Sequence, residues 1–270
     1  MINNICIIIT ILINISILCY LLYCNKYDSS GEKYLNPHNL SPQLSNKDIK
    51  NLKLGQKKMT NILKVFDNIC KKYNLKYWVI GGTFIGTIRH SGWIPWDGDM
   101  DIVMMEDDYS KLQNIIKQEL PNNMVFIDRY ADKSHICPWG KIRDLTGYYG
   151  TGGYNYDVND GIMLDIFIGQ KQNDNLNLID YEGNDGKSKY DDVFPLKYLY
   201  FEDILVPVPN KYKKLSKQWY GSFPPKLLPI SERFPHEGRI IPNNTSDHMI
   251  KKYDIKYDNN NIISRKHITL

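Results

Sequence analysis

The sequence predicts an α+β domain, a small mixed sheet with helices packed against it, preceded by one N-terminal hydrophobic helix. Three observations predict it. From Lys47 to Tyr73 apolar residues recur at the three-to-four spacing of one helical face. Short β-type runs at Lys76–Ile80, Asp99–Met105 and Gly161–Ile168 alternate with helical stretches. Ile5 to Tyr23 is an uncharged run of isoleucine and leucine, about the length that spans a bilayer as a helix.

Taken in order, residues 1–24 read as a membrane anchor. A cleaved signal peptide is the rival, but the first residues carry no basic charge and the apolar run is long. Residues 25–46, with Gly31, Pro37 and Pro42, read as a polar linker. Residues 47–242 form the folded, catalytic part. In its first helix Ile49, Leu52, Met59, Ile62, Leu63, Phe66, Ile69 and Cys70 share a face on which Gln56 is the polar exception. The strand Lys76–Ile80 ends at Gly81-Gly82; Thr83 is placed to cap a brief helix over Phe84–His90. Ser91–Gly98 is a loop, Asp99–Met105 a strand and Asp107–Leu120 a helix. Asn123–Asp128 and His135–Arg143 are further strands, and Gly147–Gly161 is a Gly- and Tyr-rich loop. Gly161–Ile168 is a buried strand whose single charge is Asp165. Gln170–Asp192 reads as a polar inserted loop and Phe201–Val208 as an edge strand stopped by Pro207 and Pro209. Asn210–Tyr220 is a short helix, and Gly221–Pro242 is irregular. Residues 243–270, with acceptor sequons at Asn243 and Asn244, read as a weakly ordered tail.

Composition narrows the function. The chain has 270 residues, 42% hydrophobic and 24% charged, with a net charge of +4. No long basic run is present, so nucleic acid is not the expected partner. Three of the five cysteines accompany the first hydrophobic segment. Cys70 and Cys137 alone make neither a disulfide framework nor a zinc-ligand spacing, and leave room for one bridge.

The chemistry concentrates in Gly81–Met104, GGTFIGTIRHSGWIPWDGDMDIVM. Asp97, Asp99 and Asp101 fall at every second position, so an extended chain points them to one side while Met100 and Ile102 point to a core. Carboxylates so crowded call for a hard cation such as Mg²⁺ or Mn²⁺, which also shares phosphate oxygens of a substrate. Gly81 and Gly82 let the backbone approach a ligand at a helix start. Asp165, alone in an apolar strand, is expected either in a structural ion pair or as a further carboxylate of the site.

The string W-V-I-G-G-T-F-I-G-T-I-R-H-S-G-W-I-P-W-D-G-D-M-D-I resembles the signature of the LicD family, which includes the fukutin and fukutin-related proteins. It matches at Gly81, Gly82, Gly86, Arg89, His90, Gly92, Ile94, Pro95, Trp96, Asp97, Asp99 and Asp101. Further matches lie in Lys141-Ile142-Arg143-Asp144, Asp165-Ile166-Phe167, Val206-Pro207-Val208-Pro209 and Tyr220-Gly221. Gly98 stands where many members have Asp, and Ile168-Gly169 where Pro is common. The resemblance implies a nucleotidyltransferase-like fold and transfer of a phospho-linked group (phosphocholine, ribitol phosphate or similar) from a CDP-linked donor to a glycan or glycolipid hydroxyl.

On that footing Asp97, Asp99 and Asp101 hold Mg²⁺ or Mn²⁺, and Asp165 completes the metal site or takes the hydroxyl proton. Gly81 and Gly82 contact the donor, Arg89, Lys141 and Arg143 bind its phosphates, and His90 hydrogen-bonds donor or acceptor. Trp93 and Trp96 are expected as loop anchors rather than ligand platforms. Tyr148, Tyr149, Tyr154 and Tyr156 form a candidate wall for a cationic head group. There are two rival readings: nucleotidyl transfer with pyrophosphate release, which the same aspartates would serve, and a membrane-anchored glycan-binding pseudoenzyme, against which the intact aspartates argue. The anchor and sequons place the chain at a membrane of the secretory pathway, in the ER or Golgi, if its host cell is eukaryotic.

Overall fold

The computed structural model describes residues 40–41, 43–129, 139–150, 161–236, 238–245, 255–258 and 261–264. The anchor, most of the linker, Cys137, Tyr154 and Tyr156 lie outside the described residues. Among those described, no helix is long and apolar enough to cross a membrane.

Helix α1 spans Asn46–Tyr73. Ser45 and Asp48 close a capping box at its start, the Ser45 hydroxyl accepting from the Asp48 amide at 3.2 Å. Asn74, at φ 53°, ends it in the left-handed region. Its apolar face, Leu52 through Cys70, is buried as the periodicity requires. Cys70 is a free thiol there, and burial raises its pKa.

The main sheet has seven strands, five of them in the order β1 (Tyr77–Val79), β2 (Asp101–Met105), β6 (Ile162–Gln172), β4 (Gly140–Asp144), β3 (Met124–Ile127), and two more extend from the far end of β6. The β2–β6 pair is parallel and its neighbours are antiparallel, so the sheet is mixed. Alternation divides its faces. Tyr77, Ile102, Met104, Ile166 and Ile142 point to one face, where α1 and helix α3 (Glu106–Glu119) lie. Phe66 of α1 meets Tyr77 at 5.1 Å, and Tyr109 of α3 meets Phe126 at 6.3 Å, between ring centroids.

Trp78, Val103, Phe167, Asp101, Asp165 and Lys141 point to the other face. The chain after β6 covers it, with Phe194 against Trp78 and Tyr181 against Phe167. That stretch differs from the inserted loop expected over Gln170–Asp192. It holds the hairpin partner β7 (Asn175–Leu178), a 3₁₀ turn at Asn184–Gly186, β8 (Lys187–Lys189) and helix α4 (Tyr190–Val193). Leu176 and Leu178 supply its buried side chains, and the abundance of Asn and Asp in the turns hid the pattern.

Three further differences share a cause, local polarity overruled by pairing. The edge strand is a hairpin of β9 (Lys197–Phe201) and β10 (Ile204–Val208), with Pro207 inside it. Tyr148–Gly150 forms β5 against β11 (Arg239–Ile241). The tail contains the hairpin β12 (Lys256–Asp258) and β13 (Asn261–Ser264), and Ile255 before it and Ile262 within it are buried with Val125, Ile127 and Leu145.

Candidate active site

The acidic strand is held from three sides. Helix α2 spans Gly81–His90, so the glycine pair is its first turn rather than a loop ahead of it. Thr83 does not cap that turn. Its hydroxyl accepts from the Asp101 amide at 2.9 Å and so ties α2 to the start of β2. From the opposite side Gln56, the polar exception on α1, donates to the carbonyls of Ile94 at 3.2 Å and Asp97 at 3.0 Å. The Tyr149 hydroxyl donates to the Gly98 carbonyl at 2.7 Å. Tyr149 is fully buried, so it is a strut for this loop and not part of a head-group wall. Trp93, bonded to the Thr60 hydroxyl at 2.9 Å, and Trp96, under the Arg233 guanidinium, are buried loop anchors.

These restraints leave Asp97, Asp99 and Asp101 half-buried beside Gly81 and Gly82, while Met100 and Ile102 are wholly buried. Gly81 has φ +59°, and a Cβ there would lie 2.8 Å from the Asp101 carboxylate. A Cβ on Gly82 would strike the Asp97 carboxylate. Two glycines in succession are therefore needed, because the helix start rests directly on two carboxylates.

Burial raises Asp97 well above the ordinary carboxylate range, and the charge and hydrogen bond of Asp99 raise it further against Gly98 and Arg89. Burial does the same for Asp101, joined by the charges of Asp99, Asp165 and Asp97 and opposed by Lys141. The cluster thus carries more negative charge than its surroundings offset, which fits a cation. Among the described residues no group of three such side chains is set to hold a metal ion, so a cation here would take one or two of these carboxylates and complete its shell with water or substrate phosphate oxygens.

Asp165 lies directly across from Asp101 in the β2–β6 register. Both of its oxygens accept from the Lys141 ammonium, at 2.6 and 2.7 Å. The pair is buried, with side-chain exposures of 12% and 3% for Asp165 and Lys141. Lys141 is thus engaged by Asp165, and Asp165 sits in an ion pair, one of the two roles expected of a lone carboxylate in an apolar strand. Arg143, one step along the same face, is fully enclosed, its side chain packed against Gly161.

Arg89 is also buried and gives one guanidinium nitrogen to the carbonyls of Pro225 and Lys226, at 3.0 and 2.8 Å. It anchors the loop after the last helix beside the cluster, and its charge lowers the pKa of Asp97. His90 accepts from Arg89 Nε at 3.3 Å. Burial, with the charges of Arg89 and Arg233, drives its pKa down to about 2, so it is neutral at physiological pH.

One group escapes the sequence reading entirely. Asp185, in the 3₁₀ turn, accepts from the Tyr181 hydroxyl at 2.9 Å, the Tyr220 hydroxyl at 2.5 Å and the Gly81 amide at 3.2 Å. The charges of Asp99 and Asp101 reach Tyr181, and that of Asp101 reaches Tyr220, which puts both phenols beside the cluster. The only trace in sequence was Tyr220-Gly221; nothing linked it to a residue in a polar stretch 35 positions earlier.

A family model described as "LicD/FKTN/FKRP, nucleotidyltransferase domain" matches residues 74–211, just over half of the chain. The chain belongs to the LicD family. The matched segment carries α2, the acidic strand, the Lys141–Asp165 pair and Asp185. Over 59 residues, 22% of each chain, the protein is 46% identical to a lipopolysaccharide cholinephosphotransferase LicD of Haemophilus influenzae. Uncharacterised proteins of Rickettsia typhi and Rickettsia prowazekii are 29% and 28% identical over 185 residues, 67% of this chain and 48% and 57% of theirs. The chain therefore spans little more than half, at most, of the length of these relatives.

Proposed function

We propose that this LicD-family chain is a metal-dependent phosphotransferase. It moves a phospho-linked group, phosphocholine or a similar unit, from a CDP-activated donor to a glycan or glycolipid hydroxyl. The observation that carries the reading is the crowding of Asp97, Asp99 and Asp101 under the Gly81-Gly82 turn, with too little positive charge nearby to balance them. The family and the cholinephosphotransferase relative support the class of reaction.

One or two of Asp97, Asp99 and Asp101 would hold Mg²⁺ or Mn²⁺, which would neutralise charge that builds up on the diphosphate. The glycine turn lets the Asp97 and Asp101 carboxylates lie directly against the start of α2. The acceptor hydroxyl oxygen attacks the distal phosphorus in line and forms a new P–O bond, its proton passes to Asp165 or to water, the bridging P–O bond breaks and CMP leaves with the electron pair. Lys141 holds Asp165 in place behind Asp101, so that Asp101 keeps its orientation. The uncharged segment 5–23 would keep the enzyme at a membrane, in the secretory pathway of a eukaryotic cell.

The test is incubation with Mg²⁺ or Mn²⁺ and a panel of CDP-choline, CDP-ribitol, CDP-glycerol and a GDP-sugar, followed by mass spectrometry. CMP released from one CDP donor, and lost in a folded Asp99→Asn variant, is the expected result. Pyrophosphate in place of CMP would move the assignment to nucleotidyl transfer. Full activity of Asp99→Asn would overturn the role of the aspartates.

A further inference from the structure

We infer that Asp185 is a positioning residue that sets the glycine turn over the acidic cluster, with Tyr181 and Tyr220 as its two arms. The inference rests on the proposed function for its meaning, though not for its geometry. Asp185 is 8% exposed, yet its carboxylate collects three donors from three separate elements. Gly81 begins α2, Tyr220 ends helix α5 (Tyr212–Tyr220), and Tyr181 follows β7. The Gly81 amide is one of the amides at a helix start that have no partner within the helix. Asp185 takes it from 104 residues away in sequence.

Each arm is itself fixed by packing. Tyr220 stacks on Phe84 of α2 at 6.2 Å, and Tyr181 meets Phe167 of β6 at 5.0 Å edge-on. Phe167 lies two residues past Asp165 on the same face. Asp185 therefore links α2, which carries Gly81 and Gly82, to the strand behind Asp101. Gly81 sits 2.8 Å, at the position of a Cβ, from the Asp101 carboxylate. A small shift of the turn changes what that carboxylate can reach. A carboxylate accepts all three donors at once. A carboxamide has one acceptor oxygen and no charge, so in Asp185→Asn one arm must reverse its hydrogen bond, its hydroxyl accepting from the amide, and the remaining bonds are no longer charge-assisted.

The experiment uses the full chain and compares Asp185→Asn, Tyr181→Phe and Tyr220→Phe with the parent. Three quantities are read: amide hydrogen exchange over residues 80–90, Mn²⁺ affinity by electron paramagnetic resonance, and kcat against KM for the active CDP donor. In Asp185→Asn the exchange of residues 81–83 rises, and Mn²⁺ affinity or kcat falls about 10–100-fold, the usual cost of losing a supporting hydrogen bond. Donor KM moves much less, the melting temperature stays near that of the parent, and each phenylalanine variant falls between the two. Unchanged exchange with unchanged kcat and Mn²⁺ affinity overturns the assignment. So does a loss of activity that merely follows the fraction unfolded. If the parent turns over no CDP donor, the proposed function fails, and exchange with Mn²⁺ affinity still decides the role of Asp185. A parent that binds no Mn²⁺ leaves exchange as the deciding quantity.

Discussion

Two aspartate environments in this molecule, one buried and one half-buried, are opposite in design. Burial tends to raise Asp192, but hydrogen bonds and charge from Lys211 and Lys214 outweigh it and leave its pKa lowered. Its partners come from the start of helix α5, so the pair fastens that helix to the end of α4. Asp101 is also pressed by burial, but its nearest company is Asp99, Asp165 and Asp97, and its pKa is raised. An aspartate that serves the fold is given its cation by the chain. Asp101 is left short of one, which costs stability and prepares the cluster for a ligand.

The sharpest way to break that contrast is to neutralise Asp101. Asp101→Asn should lower metal-dependent turnover by about 10²–10³-fold or more, since it removes charge where charge is needed in the transition state. In EDTA the same variant should melt no lower than the parent, because it relieves repulsion. Calorimetry in EDTA alongside a CMP-release assay reads both. A clear loss of stability without metal would place Asp101 with Asp192 as a structural acid.

Asp165 sharpens the comparison, being a site neighbour that the chain has paired. Lys141→Met strands its charge in the sheet and should cost about 3–5 kcal/mol in urea denaturation. The double variant Lys141→Met/Asp165→Leu should recover most of that, because the charge leaves with its partner. Failure to recover would mean that Asp165 is held by more than Lys141.

The comparison also explains what was legible in the sequence. The alternation of Asp97, Asp99 and Asp101 with Met100 and Ile102 is local, and an extended chain turns it into a face without help. The long helix was equally local. Partnerships were not. Asp165 alone in an apolar strand announced that it needed a partner, but the cross-strand register that supplies Lys141 is set by long-range pairing. The Lys141–Asp165 ion pair was out of reach of the sequence for that reason. Asp185 was invisible because a carboxylate among Asn, Asp and Gly looks like a turn until the fold brings Gly81, Tyr181 and Tyr220 to it. The hairpin structure in the same stretch was missed because polar turn residues outnumber its few buried leucines.

A third substitution separates crowding from charge. Gly82→Ala keeps every carboxylate but puts a methyl into Asp97. Turnover should fall about 10²-fold, the scale of a misplaced reacting group, while a backbone outside the left-handed region keeps the fold intact. Turnover equal to the parent would show that Asp97 can move aside freely, and that its place under α2 is not used.

The smallest effect is expected at Asp192, and its sign is the informative part. Lys211 and Lys214 are 51% and 58% exposed, so solvent screens the pairs. Asp192→Asn should cost about 1 kcal/mol at neutral pH and leave CMP release per folded molecule unchanged. Because the folded pKa is lowered, the stabilisation is fully present above the unfolded value of 3.8 and is lost as pH falls through the folded value. The gap between parent and variant should thus be constant from pH 7 to 5 and close below pH 4 in urea titrations. A gap that instead closed on raising the pH would mean that Asp192 behaves like Asp101, and the division between paired and unpaired acids would fail.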